Sequence, residues 1–110
     1  MDDLYVVSSR HTVANAQRIV EFSNRQRLPL VAGWGAWVQA GGLISYGPNL
    51  VEMMHQASRY LDTVLKGANP DDLPVQQPTR FELFVNLKTA KMLGLDLPES
   101  FLLRADKVIE

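Results

Sequence analysis

The chain has 110 residues, of which 46% are apolar and 21% charged, the range of an ordinary globular domain, and this excludes disorder over most of its length. Eleven Lys and Arg against twelve Asp and Glu leave a formal charge of −1, so no global field recruits nucleic acid or an anionic membrane. With no cysteine, disulfides, thiolate nucleophiles and Cys-based zinc or iron–sulfur sites are excluded together.

Leu4-Tyr5-Val6-Val7 reads as a short buried strand entering a loop at Ser8-Ser9-Arg10-His11. From Thr12, which can serve as an N-cap, Val13, Ala16, Ile19 and Val20 recur at helical spacing with Asn15, Gln17, Arg18, Glu21 and Arg25 on the other face, so an amphipathic helix follows. Arg27 to Ala32 is a second apolar strand, punctuated by Gly33 and Gly35. Strand, helix, strand at this spacing is a βαβ unit with parallel strands and a right-handed crossover. Ala36 to Ala40 is a short helical piece closed by Gly41-Gly42, and Leu43 to Tyr46 is a third strand.

Gly47-Pro48-Asn49 opens the strongest helical pattern, in which Leu50, Met53, Met54, Ala57, Leu61, Val64 and Leu65 repeat through Lys66-Gly67. Residues 68–79, carrying Pro70, Pro74 and Pro78, form a proline-rich connector. Arg80 to Asn86 alternates, with Phe81, Leu83 and Val85 on one side, and predicts a strand with one drier face. Leu87 to Leu93 and Pro98 to Ile109 read as two closing helices around the Gly94 break. The order predicts an α/β fold, a mostly parallel sheet with helices on its faces. At this length a second core is not available, and residues 1–110 read as a single α/β unit.

Chemical motifs are mostly absent. Gly33-Trp34-Gly35-Ala36-Trp37-Val38 begins like a dinucleotide fingerprint, but Val38 stands where the third glycine should be, and no phosphate-binding GxxxxGK[ST] occurs. Glu52 and His55 form half of a carboxylate metal motif without the second copy, and His11 has no partner carboxylate nearby in sequence. Asp2-Asp3 precede the first strand, whereas a phosphoacceptor receiver needs its acids after it. Catalytic residues, metal ligands and cofactors are therefore not expected, and an enzyme is the weakest of the functional readings.

Open α/β sheets bind ligands beyond the carboxyl ends of their strands. The residues there are Ser8, Ser9 and Arg10, then Gly33 and Trp34, then Ser45, Tyr46, Gly47 and Asn49. Hydroxyls, a guanidinium, an indole and a phenol suit a small polar or amphipathic ligand with a carboxylate or a ring. The competing reading makes Trp34 and Trp37 core or interface anchors and Gly47-Pro48-Asn49 a helix cap.

Gly41-Gly42-Leu43-Ile44-Ser45-Tyr46-Gly47-Pro48-Asn49-Leu50 resembles the bacterial ABC transporter substrate-binding proteins, the periplasmic binding proteins that include tryptophan/tyrosine-type binders. The resemblance continues through Tyr60-Leu61-Asp62, Leu65 to Ala68, Asp72 to Thr79, Phe81 to Lys91, Leu93-Gly94-Leu95 and Pro98 to Glu110. It implies a type I periplasmic-binding-protein-like fold of two lobes closing on a small-molecule solute, handed to the membrane permease of an ABC transporter. By that resemblance the chain corresponds to the C-terminal portion, with the helix from Pro48 to Lys66 shared between lobes, and the full-length protein is expected to be periplasmic or extracytoplasmic. The chain itself begins Met-Asp-Asp-Leu, without the basic n-region of a signal peptide, and its apolar runs fall short of the ~18 residues of a membrane span. Ser8-Ser9-Arg10 stands where the family often has an aspartate-proline pair, and Gly33-Trp34-Gly35-Ala36-Trp37 replaces a run ending in Arg-Glu-Phe. The alternative is a stand-alone α/β interaction module that homodimerises through surface a missing lobe would cover, and on either reading the isolated chain is expected to form a homo-oligomer.

Overall fold

A computed structural model describes residues 2–75, 77 and 80–110. In chain order it contains β1 (Leu4–Val6), α1 (Arg10–Ala14), α2 (Ala16–Arg25), β2 (Leu30–Ala32), α3 (Gly35–Gln39), β3 (Ile44–Pro48), α4 (Leu50–Leu65), a 3-10 turn (Pro70–Asp72), β4 (Phe81–Asn86), α5 (Leu87–Met92), α6 (Glu99–Leu102) and β5 (Lys107–Ile109). The strands form a five-stranded sheet in the order β1-β2-β3-β4-β5. β1 with β2, β2 with β3 and β4 with β5 are parallel, the first of these pairings as the βαβ spacing predicts. Contacts group Met1–Gly47 and Glu82–Glu110 as one compact unit and Pro48–Phe81 as another.

In the first unit, Val6, Val20, Leu30, Ala32 and Trp37 form a buried cluster, with Leu4, Ala16, Ile19, Trp34 and Ala40 packed against it. The residues alternate along β1 and β2, so one face of these strands is dry. The other face is not. Tyr5 and Val7 are exposed, and Val31 and Ile44, level with Tyr5 in the register, are only half-buried.

A polar clamp joins the end of α3 to the start of α5. Asn86 caps α5 by accepting the Thr89 N–H at 3.0 Å, while its Nδ2 donates to the Val38 carbonyl at 3.1 Å. The Thr89 hydroxyl donates to the Gly41 carbonyl at 2.8 Å, and Asn24 Nδ2 donates to the same oxygen at 3.3 Å. Asn86 and Thr89 are buried, where an unpaired polar group costs far more than a paired one returns.

Three sequence expectations are corrected. The first helix does not begin at Thr12. Ser9 caps α1 with a reciprocal capping box to Thr12, and the helix is interrupted at Asn15. β4 is not drier on one face, because Val85 and Asn86, which point to opposite faces, are both buried, and Glu82, Leu83 and Phe84 are all half-buried. The C-terminal segment is not helical to Ile109. α6 ends at Leu102, and Lys107–Ile109 pairs with β4, its register set by Asp106, whose N–H donates to the Leu83 carbonyl and whose Oδ2 accepts from the Leu83 N–H, each at 2.8 Å. β-branched Val108 and Ile109 suit that strand, and a short apolar run cannot by periodicity alone be told from a helix. Smaller shifts place Val7 and Arg27 outside the strands and Pro48 at the end of β3.

In the second unit α4 has no buried residue. Asn49 caps it by accepting the Glu52 N–H at 2.9 Å. Met53, Gln56, Tyr60 and Val64 are half-buried and line a groove of about 610 Å³ with Ala57, Leu61, Pro70 and Val75, and the Tyr60 hydroxyl donates to the Pro74 carbonyl at 2.8 Å. Leu50, Val51, Met54, Leu61 and Leu65 are exposed. Of the expected connector, Gln76, Pro78 and Thr79 lie outside the described residues.

Helix ends carry the most direct prediction. At α3, α4 and α5 the chain reverses through Gly41, Gly67 and Gly94 at positive φ, each with the paired N–H bonds of a Schellman motif. α2 ends in the same way, Arg27 N–H to Asn24 carbonyl and Leu28 N–H to Ser23 carbonyl, but the left-handed position is held by Arg27 at φ 58. A side chain there costs roughly 1–2 kcal/mol. Replacing Arg27 by Gly relieves that cost, partly offset by unfolded-chain entropy, so R27G is expected to raise stability by about 0.5–1 kcal/mol in urea unfolding; an unchanged or lowered midpoint contradicts this account of the turn.

Candidate functional site

The parallel register places the carboxyl ends of β1, β2 and β3 on one edge. Val6 pairs with Ala32 and Ala32 with Ser45, so beyond this level the chain runs into Ser8 after β1, into Gly33 and Trp34 after β2, and through Tyr46 and Gly47 within β3.

Their surroundings differ. The Ser8 hydroxyl, on an exposed residue, accepts the indole Nε1–H of Trp37 at 3.0 Å. Ser9 is also exposed, but its hydroxyl accepts the Thr12 N–H at 3.2 Å while its own N–H donates to Thr12 Oγ1 at 2.7 Å, so that side chain serves the α1 cap. Arg10 opens α1 on the surface. Trp34 stands at the N-cap position of α3, half-buried, with its ring against the core cluster. Tyr46 is 61% exposed, an amphipathic ring presented to solvent at the strand end. Ser45 is buried within β3, and Asn49 belongs to the second unit as the α4 cap.

Gly47 has a steric reason. A Cβ built there would fall on the carbonyl of Gly33, because the β2–α3 loop and the end of β3 pass backbone against backbone. A glycine at such a point permits a close approach that no other residue allows.

The sequence reading left Trp37 between core anchor and interface anchor. It is 1% exposed and belongs to the core, but it also reaches the candidate edge through Ser8. Nothing in the sequence signals that bond, which joins residues 29 positions apart. Glu52 and His55 are exposed on α4, and His11 is exposed on α1 rather than in a loop. Among the described residues no three His, Cys, Asp or Glu side chains gather in a way that could hold a metal ion, and no helix is long and apolar enough to cross a membrane.

Residues 1–109 match the family model described as ABC transporter substrate binding protein. A structure from Streptococcus pneumonia, described as an ABC domain in complex with L-Trp, is similar to this chain at 28% identity with a TM-score of 0.91, over 99% of this chain and 37% of that one. A conserved domain protein from Vibrio cholerae O1 biovar El Tor has the same fold, with a TM-score of 0.90 at 24% identity over 97% of this chain and 36% of that one. The chain is also 25% identical over 95 residues to a tyrosine-binding protein of Clostridioides difficile, covering 86% of this chain and 28% of that protein. The chain thus spans between 28% and 37% of the length of these relatives.

The close approach at Gly47 gives a test of the edge. Gly47→Ala forces the two backbones apart, and overpacking of this kind costs about 1–3 kcal/mol. A melting temperature several degrees lower is expected from a thermal scan, and an unchanged one would mean that the two segments are not held in contact.

Proposed function

Because the chain belongs to the family of ABC transporter substrate binding proteins, we propose that it contributes one face of a small-molecule binding cleft in a protein that delivers a solute to a membrane permease outside the cytoplasm. What supports this reading is the parallel pairing of β1, β2 and β3, whose carboxyl ends lead into Ser8, Trp34 and Tyr46, with Arg10 following at the start of α1, groups suited to an amphipathic solute. An aromatic amino acid fits these groups best: a ring for Tyr46 to meet, and a carboxylate for Arg10. Two relatives are described as an ABC domain in complex with L-Trp and a tyrosine-binding protein, and both ligands belong to the same chemical class. No nucleophile–base pair is needed, since the work is binding and release.

The exposed apolar surfaces support a larger assembly around the chain. Tyr5 and Val7 beside half-buried Val31 and Ile44 leave one sheet face open, and α4 offers Leu50, Met54, Leu61 and Leu65 to solvent. Surfaces of this kind mark association sites. The remaining length seen in the relatives would cover them in a two-lobed protein. The second reading, a self-associating α/β module, is favoured by the same α4 stripe and puts a second copy there.

Two measurements separate these readings. Titration calorimetry with L-tryptophan and L-tyrosine is expected to detect binding, and Arg10→Ala to weaken it by about 1.5–3 kcal/mol, the range for hydrogen bonds to charged groups; an unchanged dissociation constant removes Arg10 from the site. Sedimentation equilibrium of the 110-residue chain at micromolar concentration is expected to give a mass above 12.3 kDa, and Leu61→Glu, which puts a charge on the exposed stripe, to return it to the monomer. A monomer from the outset excludes self-association through α4.

A further inference from the structure

Trp37 holds one donor and no acceptor in a nearly dry environment, and a buried indole N–H needs a partner. It takes the Ser8 hydroxyl oxygen at 3.0 Å. A serine hydroxyl has one proton and two lone pairs. With the oxygen held by the indole, its proton points away from that bond, and a hydroxyl that accepts a hydrogen bond is a better donor for the next one. Among the described residues no hydrogen bond has Ser8 Oγ as donor. The neighbouring Ser9 differs, because its oxygen is held by the cap to Thr12.

The rest of the edge has the same polarity. The loop after β1 carries Ser8, Ser9 and Arg10, the loop after β2 carries Gly33, Trp34 and Gly35, and the end of β3 carries Tyr46 and Gly47. None of these residues is an Asp or Glu. Among these residues a carboxylate would meet donors, the Ser8 hydroxyl and the Arg10 guanidinium.

We propose that Trp37 is a positioning residue that holds Ser8 as a hydrogen-bond donor, and that together with Arg10 this donor selects the carboxylate end of the solute. The assignment rests on the solute-binding reading above and adds which end of the ligand this face recognises. Trp37 does not touch the ligand; it acts through Ser8.

The test uses two probes that divide an aromatic amino acid, indole-3-propionate with a carboxylate and no ammonium, and tryptamine with an ammonium and no carboxylate. Binding is followed by calorimetry and by the 15N-bound indole proton of Trp37. Indole-3-propionate is expected to bind and to shift the Trp37 signal, and Ser8→Ala to weaken it about tenfold. Ser8→Thr, which keeps a hydroxyl, is expected to retain most of the affinity. Trp37→Phe, which keeps a ring and loses the donor, should weaken indole-3-propionate to a similar degree, and the double variant S8A/W37F no further than Ser8→Ala alone, with tryptamine binding unmoved throughout. If Trp37→Phe loses its cooperative melt, the contrast between Ser8→Ala and Ser8→Thr decides the matter. Equal weakening of both probes, or an unchanged affinity for indole-3-propionate in Ser8→Ala, would overturn the proposal. Wild-type binding of tryptamine alone would overturn the carboxylate assignment and leave the solute-binding reading standing, and binding of neither probe would overturn that reading and this assignment with it.

Discussion

The buried indole of Trp37 is the constraint on which much of the first unit depends. Its ring fills the cluster with Val6, Val20, Leu30 and Ala32, and its carbonyl accepts the Gly42 N–H at 2.8 Å as α3 closes. Burial of so large a side chain contributes on the order of 2–3 kcal/mol from apolar area, but it also strands an N–H unless a partner lies within reach. Ser8 supplies that partner from the loop after β1. Core packing and the candidate edge are therefore joined through one hydrogen bond, and a change in either is felt in the other.

The polar clamp fixes the sheet at the start of β3, the end away from the candidate edge. Asn86 serves two elements at once, as the α5 cap and as donor to the Val38 carbonyl. Its backbone N–H donates to the Leu43 carbonyl at 2.9 Å, which ties the end of β4 to the start of β3. Thr89 and Asn24 hold the Gly41 carbonyl. The two Asn86 bonds are buried and the two to Gly41 part-buried, so water competes little for them.

The surfaces left open make physical sense in a chain that spans about a third of its relatives' length. A parallel sheet is normally covered on both faces, yet Tyr5 is exposed on β1, as is Val7 just beyond it. An amphipathic helix normally buries its apolar stripe, yet nothing on α4 is buried. Each exception has the same form, an element built for two-sided packing and covered on one side or not at all. The sequence anticipates the second of them, in the seven apolar positions from Leu50 to Leu65.

Much of the architecture was legible from residues alone. The strands Leu4–Val6, Leu30–Ala32 and Phe81–Asn86, the long helix after Pro48 and the helix ends at Gly41, Gly67 and Gly94 follow from local periodicity and from backbone positions that glycine occupies at least cost. So does the parallel pairing of the first two strands, because a helical crossover returns the chain to start the next strand in the same direction. What the sequence could not decide were properties of partners far apart in the chain. Lys107–Ile109 becomes a strand because β4 offers a ladder to it, Val85 and Asn86 are both buried because the chain packs against each face of β4 at its end, and Arg27 adopts a left-handed turn because α2 must end before β2. The candidate edge divides in the same way. Ser8, Arg10, Trp34 and Tyr46 were placed there by strand ends, a local signal, whereas the assignment of Ser9 to a cap and of Ser8 to Trp37 awaited the tertiary structure, since a hydrogen bond reports which groups meet in space and a side chain carries no mark of the partner it will find.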